Sequence, residues 1–159
     1  MAEERLITEE MTKTIGQLLA TQVVEIEKGM IERYFNAVGD PNPLWADEAY
    51  AKKSRYGGII APPSFVYGLN YLCKPAIEVF FDLQPFKVEG YSRYVDGGIE
   101  CEFITPIKAG DVLFSSVTLT DLYERKGSSG KMLFVVYKVN WINQKGEAIA
   151  NVYRTVIRY

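Results

Sequence analysis

The sequence contains no histidine, and this absence excludes more chemistry than any other feature of its composition. Without an imidazole, the usual zinc ligand sets and a histidine-activated serine nucleophile are both unavailable. The two cysteines, Cys73 and Cys101, are far apart in the chain and do not have the spacing of metal ligands. We therefore predict no metal and no cofactor, and two ordinary thiols in a reducing compartment.

Long apolar runs and a strong charge of either sign are also missing. The longest uncharged stretch, residues 56–73, contains two prolines and three glycines, a mixture that argues against a membrane span. A net charge of −2 and an isoelectric point near 5.3 give no electrostatic reason to expect nucleic acid or an anionic membrane as a partner. The acidic N-terminus has no apolar segment typical of a signal peptide, so we expect a cytoplasmic protein.

The first half of the chain is predicted to be helical and rich in turns. The 159 residues suit one domain over 1–159, with no repeats or linkers. Apolar residues recur at helical spacing over 30–38, where Gly39 ends the helix, and a second short helix fits 47–53. A third, strongly apolar helix is predicted to begin at Pro62-Pro63-Ser64 and to run to Cys73.

The second half is predicted to consist of strands. Four segments rich in β-branched and aromatic residues are bounded by turn residues, at 98–105, 111–123, 131–142 and 147–157. The last three are joined by short turns and form an antiparallel meander. An apolar helix followed by a long antiparallel sheet predicts an α+β fold in which the sheet wraps around the helix.

Two motifs carry a resemblance to a known family. They are G-D-P-N-P-L-W-A-D-E-A-Y-A at 39–51 and Y-G-G-I-I-A-P-P-S-F at 56–65. In order and spacing they resemble the motifs D-x-N-P-x-H and G-x-I-A-H-G of the MaoC-like hydratases and dehydratases. A third stretch, F-I-T-P-I-K-A-G-D at 103–111, is similar to that family's R-P-V-x-x-G-D turn. The resemblance implies a hot-dog fold, in which a curved antiparallel β-sheet wraps a long central helix.

The resemblance also implies which residues would act on a substrate. Hydration of a 2-enoyl thioester needs a water held between a carboxylate and an imidazole, and a donor for the thioester oxygen. Asp40 matches the carboxylate and Asn42 the amide that fixes the loop, so both are candidate residual catalytic residues. Trp45 occupies the imidazole position, and an indole can donate a hydrogen bond but cannot accept one. Pro62 and Pro63 replace His-Gly, and Pro63 has no N–H to serve as the oxyanion donor.

The A-P-P-S-F form of the second motif resembles the N-terminal, FAS1-type dehydratase half of the same superfamily. Such halves often lack catalysis and pair with a second hot-dog domain, and they supply an apolar tunnel for the acyl group. The resemblance therefore implies an apolar wall at Tyr67, Gly68, Tyr71, Phe80 and Phe81. The candidate substrate-binding residues are Trp45, Tyr56, Pro62, Pro63, Ser64, Phe65 and Tyr67.

The leading hypothesis is a subunit of a lyase of fatty acid metabolism, an enoyl-thioester hydratase or 3-hydroxyacyl-thioester dehydratase that is weakly active or inactive alone. It would bind an acyl-CoA or acyl-carrier-protein thioester, as a homodimer or as a heterodimer with a histidine-bearing hot-dog subunit. The alternatives are a stand-alone (R)-specific hydratase in which Asp40 works with Tyr56 or Tyr67, a hot-dog thioesterase, and an acyl-CoA-binding or scaffolding dimer. In the purely structural interpretation, Asp40 and Asn42 form a turn, Ser64 caps a helix and Trp45 packs in the core.

Overall fold

The computed structural model describes residues 5–72, 88–128 and 130–159, and the side chains of 70–72 are not part of that description. The predicted wall residues Tyr71, Phe80 and Phe81, and the predicted helix end at Cys73, fall outside it. The helices are α1 (Glu9–Lys13), α2 (Lys28–Val38), α3 (Pro43–Ala46), α4 (Glu48–Lys53) and α5 (Phe65–Leu72). The strands are β1 (Leu18–Glu25), β2 (Tyr94–Phe103), β3 (Val112–Gly127), β4 (Gly130–Asn143) and β5 (Ala148–Arg158).

The strands form one antiparallel sheet in the order β1-β3-β4-β5-β2. All four predicted strands are present, and β3, β4 and β5 form the predicted meander. Over most of their length their side chains alternate between buried and partly exposed, because successive residues of a strand point to opposite faces. Trp141 of β4, for example, lies opposite Ser115 of β3 and Ala150 of β5 on the inner face.

The expectation of a first half without strands was wrong. β1 pairs with β3 from Leu18 opposite Thr118 to Glu25 opposite Val112, so it forms one edge of the sheet. Its sequence, L-L-A-T-Q-V-V-E, is short and only partly apolar, and none of its side chains is fully buried. A strand of this kind is fixed by pairing with a segment far away in the chain, which a local pattern does not show.

The three predicted helices are present as α2, α4 and α5, whereas α1 and α3 were not predicted and α5 begins later than expected. Gly39 ends α2 in the left-handed conformation with a φ of 71°, and Asp47 caps α4 by accepting from the Tyr50 N–H. The segment Pro62–Ser64 is a turn that precedes α5, and the Phe65 N–H donates to the Pro62 carbonyl at 2.9 Å. The predicted start at Pro62 was therefore three residues too early. In the described part of the chain, no helix has the length and apolar character needed to cross a membrane.

The core lies between the inner face of the sheet and the helices. Tyr137 and Trp141 of β4 have no exposed surface, and they belong to the same buried cluster as Phe65 and Leu69 of α5. The Tyr34 ring of α2 meets the Phe65 ring edge-on, with 5.3 Å between the ring centroids. The apolar face of α5 is thus covered by the sheet on one side and by α2 on another, as the predicted α+β arrangement requires.

Gly68 allows the close approach of α5 and α2. A Cβ atom at this position would lie 3.4 Å from Cε2 of Tyr34, which is ordinary van der Waals contact. The family resemblance predicted that Gly68 forms part of an acyl-binding wall. In the structure, the side of Gly68 that carries no side chain faces Tyr34 of α2.

We expect Gly68→Ala to raise the free energy of unfolding by about 0.5–1 kcal/mol, because a glycine inside a helix is unfavourable. Gly68→Leu should lower it by about 1–3 kcal/mol, because the larger side chain must displace the Tyr34 ring. Urea unfolding followed by circular dichroism measures both values. A destabilising alanine would show that the two helices are packed more tightly than the structure indicates.

Candidate functional site

The loop Asp40–Trp45 is built from side chains that bond their own backbone. Oδ1 of Asp40 accepts from the Asn42 N–H at 3.2 Å, and Oδ1 of Asn42 accepts from the Leu44 N–H at 3.0 Å. Asn42 is therefore the N-cap of α3, and Pro43 follows at the first helical position, where a missing N–H costs nothing. Both candidate catalytic residues thus have structural contacts, and the Asp40 side chain is exposed to solvent.

Trp45 holds this loop to the body of the protein. Its side chain is only 8% exposed, and its Nε1–H donates to the Asp40 carbonyl oxygen at 3.0 Å. Trp45 therefore closes the loop on itself. An indole in this position cannot take a proton from water, since its nitrogen has no acceptor lone pair.

Tyr56, at the start of the second motif, is held by two cations. Nη2 of Arg55 donates to the Tyr56 hydroxyl oxygen at 2.6 Å, and its guanidinium carbon lies 4.8 Å from the centre of the Tyr56 ring. Nζ of Lys108 donates to the Tyr56 carbonyl oxygen at 2.9 Å. The residues that follow bond to two other segments. The Ile60 N–H donates to the Leu44 carbonyl of the Asp40–Trp45 loop, and the Ala61 N–H donates to the Ile107 carbonyl in the segment after β2.

These segments enclose a cavity of about 450 Å³. Such a volume is within the range of small-molecule sites. Its wall is largely apolar and is formed by the loop, the second motif, the residues that follow β2 and the start of β5. The lining residues are Asn42, Leu44, Trp45, Arg55, Tyr56, Ile60, Ala61, Pro62, Pro63, Val66, Phe103, Ile104, Thr105, Pro106, Ile107, Ile149 and Ala150.

The cavity contains some of the predicted site residues and excludes others. It is lined by Asn42, Trp45, Tyr56, Pro62 and Pro63, and it is not lined by Asp40, Ser64, Phe65 or Tyr67. The two motifs therefore meet at one cavity, while the carboxylate of the first motif lies outside it.

The remaining predicted residues lie deeper or to one side. Phe65 is 1% exposed and packs in the core. Tyr67 packs against Phe103, with 6.1 Å between the ring centroids. Burial, together with the neighbouring Cys101 thiol, raises the pKa of the Tyr67 phenol above its ordinary value of 10.0. Tyr67 is therefore protonated near neutral pH and is not a base.

The turn before α5 offers few backbone donors. The N–H groups of Phe65, Val66 and Tyr67 donate to the carbonyls of Pro62, Pro63 and Ser64 at 2.9, 3.5 and 3.1 Å. Neither proline has an N–H. Among the described residues, the Ser64 N–H is the one in this turn without an acceptor, and Ser64 does not line the cavity. Pro62 and Pro63, which line the cavity, therefore present no backbone N–H to it.

Several lining residues were not predicted as site residues. Arg55, which precedes the second motif, lines the cavity. Residues 103–107 and Ala150 come from the far half of the chain, and only the F-I-T-P-I-K-A-G-D motif indicated a role for that region. Within the described ranges, no group of three or more cysteine, aspartate and glutamate side chains could hold a metal ion.

Comparison with known proteins identifies the family. Residues 13–152 match the family model described as FAS1-like, dehydratase domain region. The chain belongs to this family. The match covers both motifs, β1 and most of the sheet, so the FAS1-like dehydratase assignment rests on the whole cavity and not on one loop. The predicted resemblance to the FAS1-type half of the superfamily is confirmed.

Relatives of this FAS1-like dehydratase domain are found by sequence and by structure. A UPF0336 protein of Streptomyces avermitilis is 34% identical over 108 residues, which are 68% of this chain and 69% of that protein. The HadBC (3R-hydroxyacyl-ACP dehydratase) complex of Mycobacterium tuberculosis has a chain that aligns with a TM-score of 0.72 at 21% identity, covering 91% of this chain and 96% of that one.

A third similar structure is the R-hydratase PhaJ1 of Pseudomonas aeruginosa. It aligns with a TM-score of 0.66 at 21% identity over 91% of this chain and 81% of that one. Identities this low establish the fold and leave the activity open. The fold is the hot-dog fold, as predicted.

Proposed function

We propose that this chain is the acyl-thioester-binding subunit of an enoyl-thioester hydratase or 3-hydroxyacyl-thioester dehydratase, and that a second hot-dog subunit supplies the catalytic histidine. Membership in the FAS1-like dehydratase family supports the reaction class. The division of labour between two subunits is inferred from the residues around the cavity.

The observation that carries the proposal is the position of Trp45. Its indole lies in the cavity wall at the imidazole position, and its N–H is engaged by the Asp40 carbonyl. An indole cannot take a proton from water, and general acid–base transfer contributes about 10²–10⁴-fold to such reactions. The chain keeps an apolar cavity, while the imidazole position holds a side chain that cannot act as the base.

The similar HadBC structure is a complex of two different subunits. A subunit pair allows one hot-dog to provide binding surface while the other provides the acid and base. We propose the same arrangement for this chain, in which the partner's D-x-N-P-x-H loop faces a substrate held in the cavity lined by Trp45 and Tyr56.

The charges near the cavity support a thioester with a phosphate-bearing carrier. Arg55 lines the cavity, and Lys108 is fixed to the same Tyr56 from the other side. The apolar wall suits an acyl chain, and guanidinium and ammonium groups bind phosphate through charge-assisted hydrogen bonds. Coenzyme A and the phosphopantetheine of a carrier protein both offer that combination.

We expect Arg55→Ala to weaken the binding of crotonyl-CoA by the isolated chain about fivefold, which corresponds to roughly 1 kcal/mol for an exposed charge-assisted contact. Isothermal titration calorimetry at low salt gives the dissociation constants. Lys53→Ala is the matched control, because Lys53 has the same charge, lies two residues away and does not line the cavity.

Equal weakening by the two substitutions would show that only the overall charge matters. If the unmodified chain binds no crotonyl-CoA at all, the acyl-binding role fails and the scaffolding alternative gains support. The stand-alone hydratase loses its carboxylate in this geometry, because the Asp40 side chain does not line the cavity. Of its two candidate partners, Tyr56 lines the cavity and Tyr67 does not.

A further inference from the structure

Three polar side chains lie next to one another on the inner face of the sheet. Gln22 of β1 is opposite Ser115 of β3, and Ser115 is opposite Trp141 of β4. Side chains that are directly opposite point to the same face, with about 5 Å between their Cβ atoms. We call Gln22, Ser115 and Trp141 the polar row. Its neighbours along the strands, among them Val117 and Val139, belong to the apolar core.

The polar atoms of this row are buried, and they form no hydrogen bond with any described residue. These atoms are Oε1 and Nε2 of Gln22, Oγ of Ser115 and Nε1 of Trp141. Ser115 is 4% exposed, and Trp141 has no exposed surface. A buried polar group without a partner is costly, and native proteins contain few of them. Three neighbouring side chains with such groups therefore indicate a binding place for a polar atom that the chain itself does not supply.

The chemistry of the polar row favours a neutral oxygen atom that accepts hydrogen bonds. The Trp141 indole can only donate, whereas the Ser115 hydroxyl and the Gln22 amide can both donate and accept. Neighbouring polar groups that do not bond to each other are often bridged by a third polar atom. A hydroxyl oxygen among them could accept from the Trp141 Nε1–H and donate to Oε1 of Gln22. None of the three side chains is charged, so the row does not suit a phosphate or a carboxylate.

The polar row continues the wall of the cavity. Trp141 is opposite Ala150 of β5, and Ala150 is opposite Phe103 of β2. Ala150 and Phe103 line the cavity, whereas Trp141 and Ser115 do not. Since neighbouring strands are about 4.8 Å apart, Trp141 lies one strand beyond the wall and Ser115 lies two. A single methyl side chain separates the cavity from Trp141 along this row. An acyl group that extends from the cavity across Ala150 would therefore meet Trp141 first and Ser115 next.

We propose that the polar row is a subsite for an oxygen atom at the end of the acyl group remote from the thioester, carried as a hydroxyl or a ketone. The inference rests on the proposed function, because it names the class of acyl group that the cavity holds. A buried water molecule offers the same hydrogen-bonding chemistry. A water site could lie anywhere in the core, whereas the row begins one strand away from the cavity wall, so its position favours the oxygenated acyl group.

The direct test compares acyl-CoAs with and without a remote oxygen. Saturated acyl-CoAs of increasing chain length, and their counterparts with a terminal hydroxyl, are titrated into the purified chain by isothermal titration calorimetry. At the length that reaches the row, we expect the hydroxylated acyl-CoA to bind about fivefold or more tightly than its aliphatic parent, because it satisfies buried groups that the parent leaves without partners. At shorter lengths the hydroxyl should weaken binding, because it is buried against an apolar wall.

Two serines on the same strand provide a matched pair of variants. Ser115→Ala removes one hydroxyl of the polar row, and we expect it to weaken the binding of the hydroxylated acyl-CoA about threefold and to leave that of the aliphatic parent unchanged. Ser116→Ala, the control, alters the next residue of β3, whose side chain points to the opposite face. It should change neither affinity. Trp141→Phe, which removes the Nε1–H and keeps an aromatic ring, should act like Ser115→Ala.

The outcomes separate this inference from the proposed function. Equal affinity for hydroxylated and aliphatic acyl-CoAs at every chain length would overturn the inference, leave the row to buried water and keep the acyl-binding function. Equal weakening of both ligands by Ser115→Ala would also overturn it, because the serine would then act only on the fold. A chain that binds neither kind of acyl-CoA would overturn both the subsite and the proposed function.

Discussion

Trp45→Ala is expected to lower the free energy of unfolding by about 3 kcal/mol, which is the lower end of the range for removing a buried tryptophan. The lower end applies because the side chain borders a cavity, so part of its surroundings is already open. The substitution also removes the Nε1–H that donates to the Asp40 carbonyl. The loop that joins α2 to α3 should then lose its fixed position.

Trp45→Phe separates the two contributions of the indole. It keeps most of the apolar volume and removes only the hydrogen bond, so the expected loss is about 1 kcal/mol. Urea unfolding of both variants, followed by circular dichroism, gives the comparison. A loss below about 1 kcal/mol for Trp45→Ala would contradict the view that Trp45 has become a structural residue, since a buried aromatic side chain costs more than that to remove.

Coexpression with a hot-dog protein of the same genome that has an intact D-x-N-P-x-H loop is expected to produce a large gain in activity. The partner would provide the acid–base pair, worth about 10²–10⁴-fold, and an oxyanion donor, worth about 10²–10³-fold. We therefore expect crotonyl-CoA hydration by the copurified complex to exceed that of the isolated chain by at least about 10³-fold.

Two control complexes separate the catalytic contributions of the two subunits. Replacing the partner's motif histidine by alanine should abolish the gain, while Asp40→Asn in this chain should leave it unchanged, since Asp40 lies outside the cavity. A partner that is equally active without this chain would contradict the proposed contribution of its cavity. The hydration of the enoyl double bond is followed by its absorbance.

The strands of the meander could be predicted closely because each carries its own signal. Residues that alternate between the core and solvent, bounded by glycine-containing turns, give β3, β4 and β5 within a few residues of their observed ends. β1 could not be predicted in this way, because its partner β3 lies about a hundred residues further along the chain. The start of α5 was misplaced because two prolines suit either a first helical turn or the turn before it.

The site could be predicted in part for a similar reason. Motif spacing identified Trp45, Tyr56 and Pro62, and the fold brings these residues to one cavity. Contacts between distant segments, such as the hydrogen bond from the Ala61 N–H to the Ile107 carbonyl, arise only when the sheet is assembled. The direction in which the Asp40 carboxylate points could not be predicted from the sequence either, because the carboxylate is oriented by the hydrogen bond that it accepts from the Asn42 N–H.

The rate of crotonyl-CoA hydration by the purified, isolated chain tests the central claim most directly. We predict no turnover above the uncatalysed background, and no difference between the unmodified chain and Asp40→Asn. Rapid hydration by the isolated chain that disappears in Asp40→Asn would contradict it, because Asp40 would then act as the catalytic carboxylate without a histidine partner.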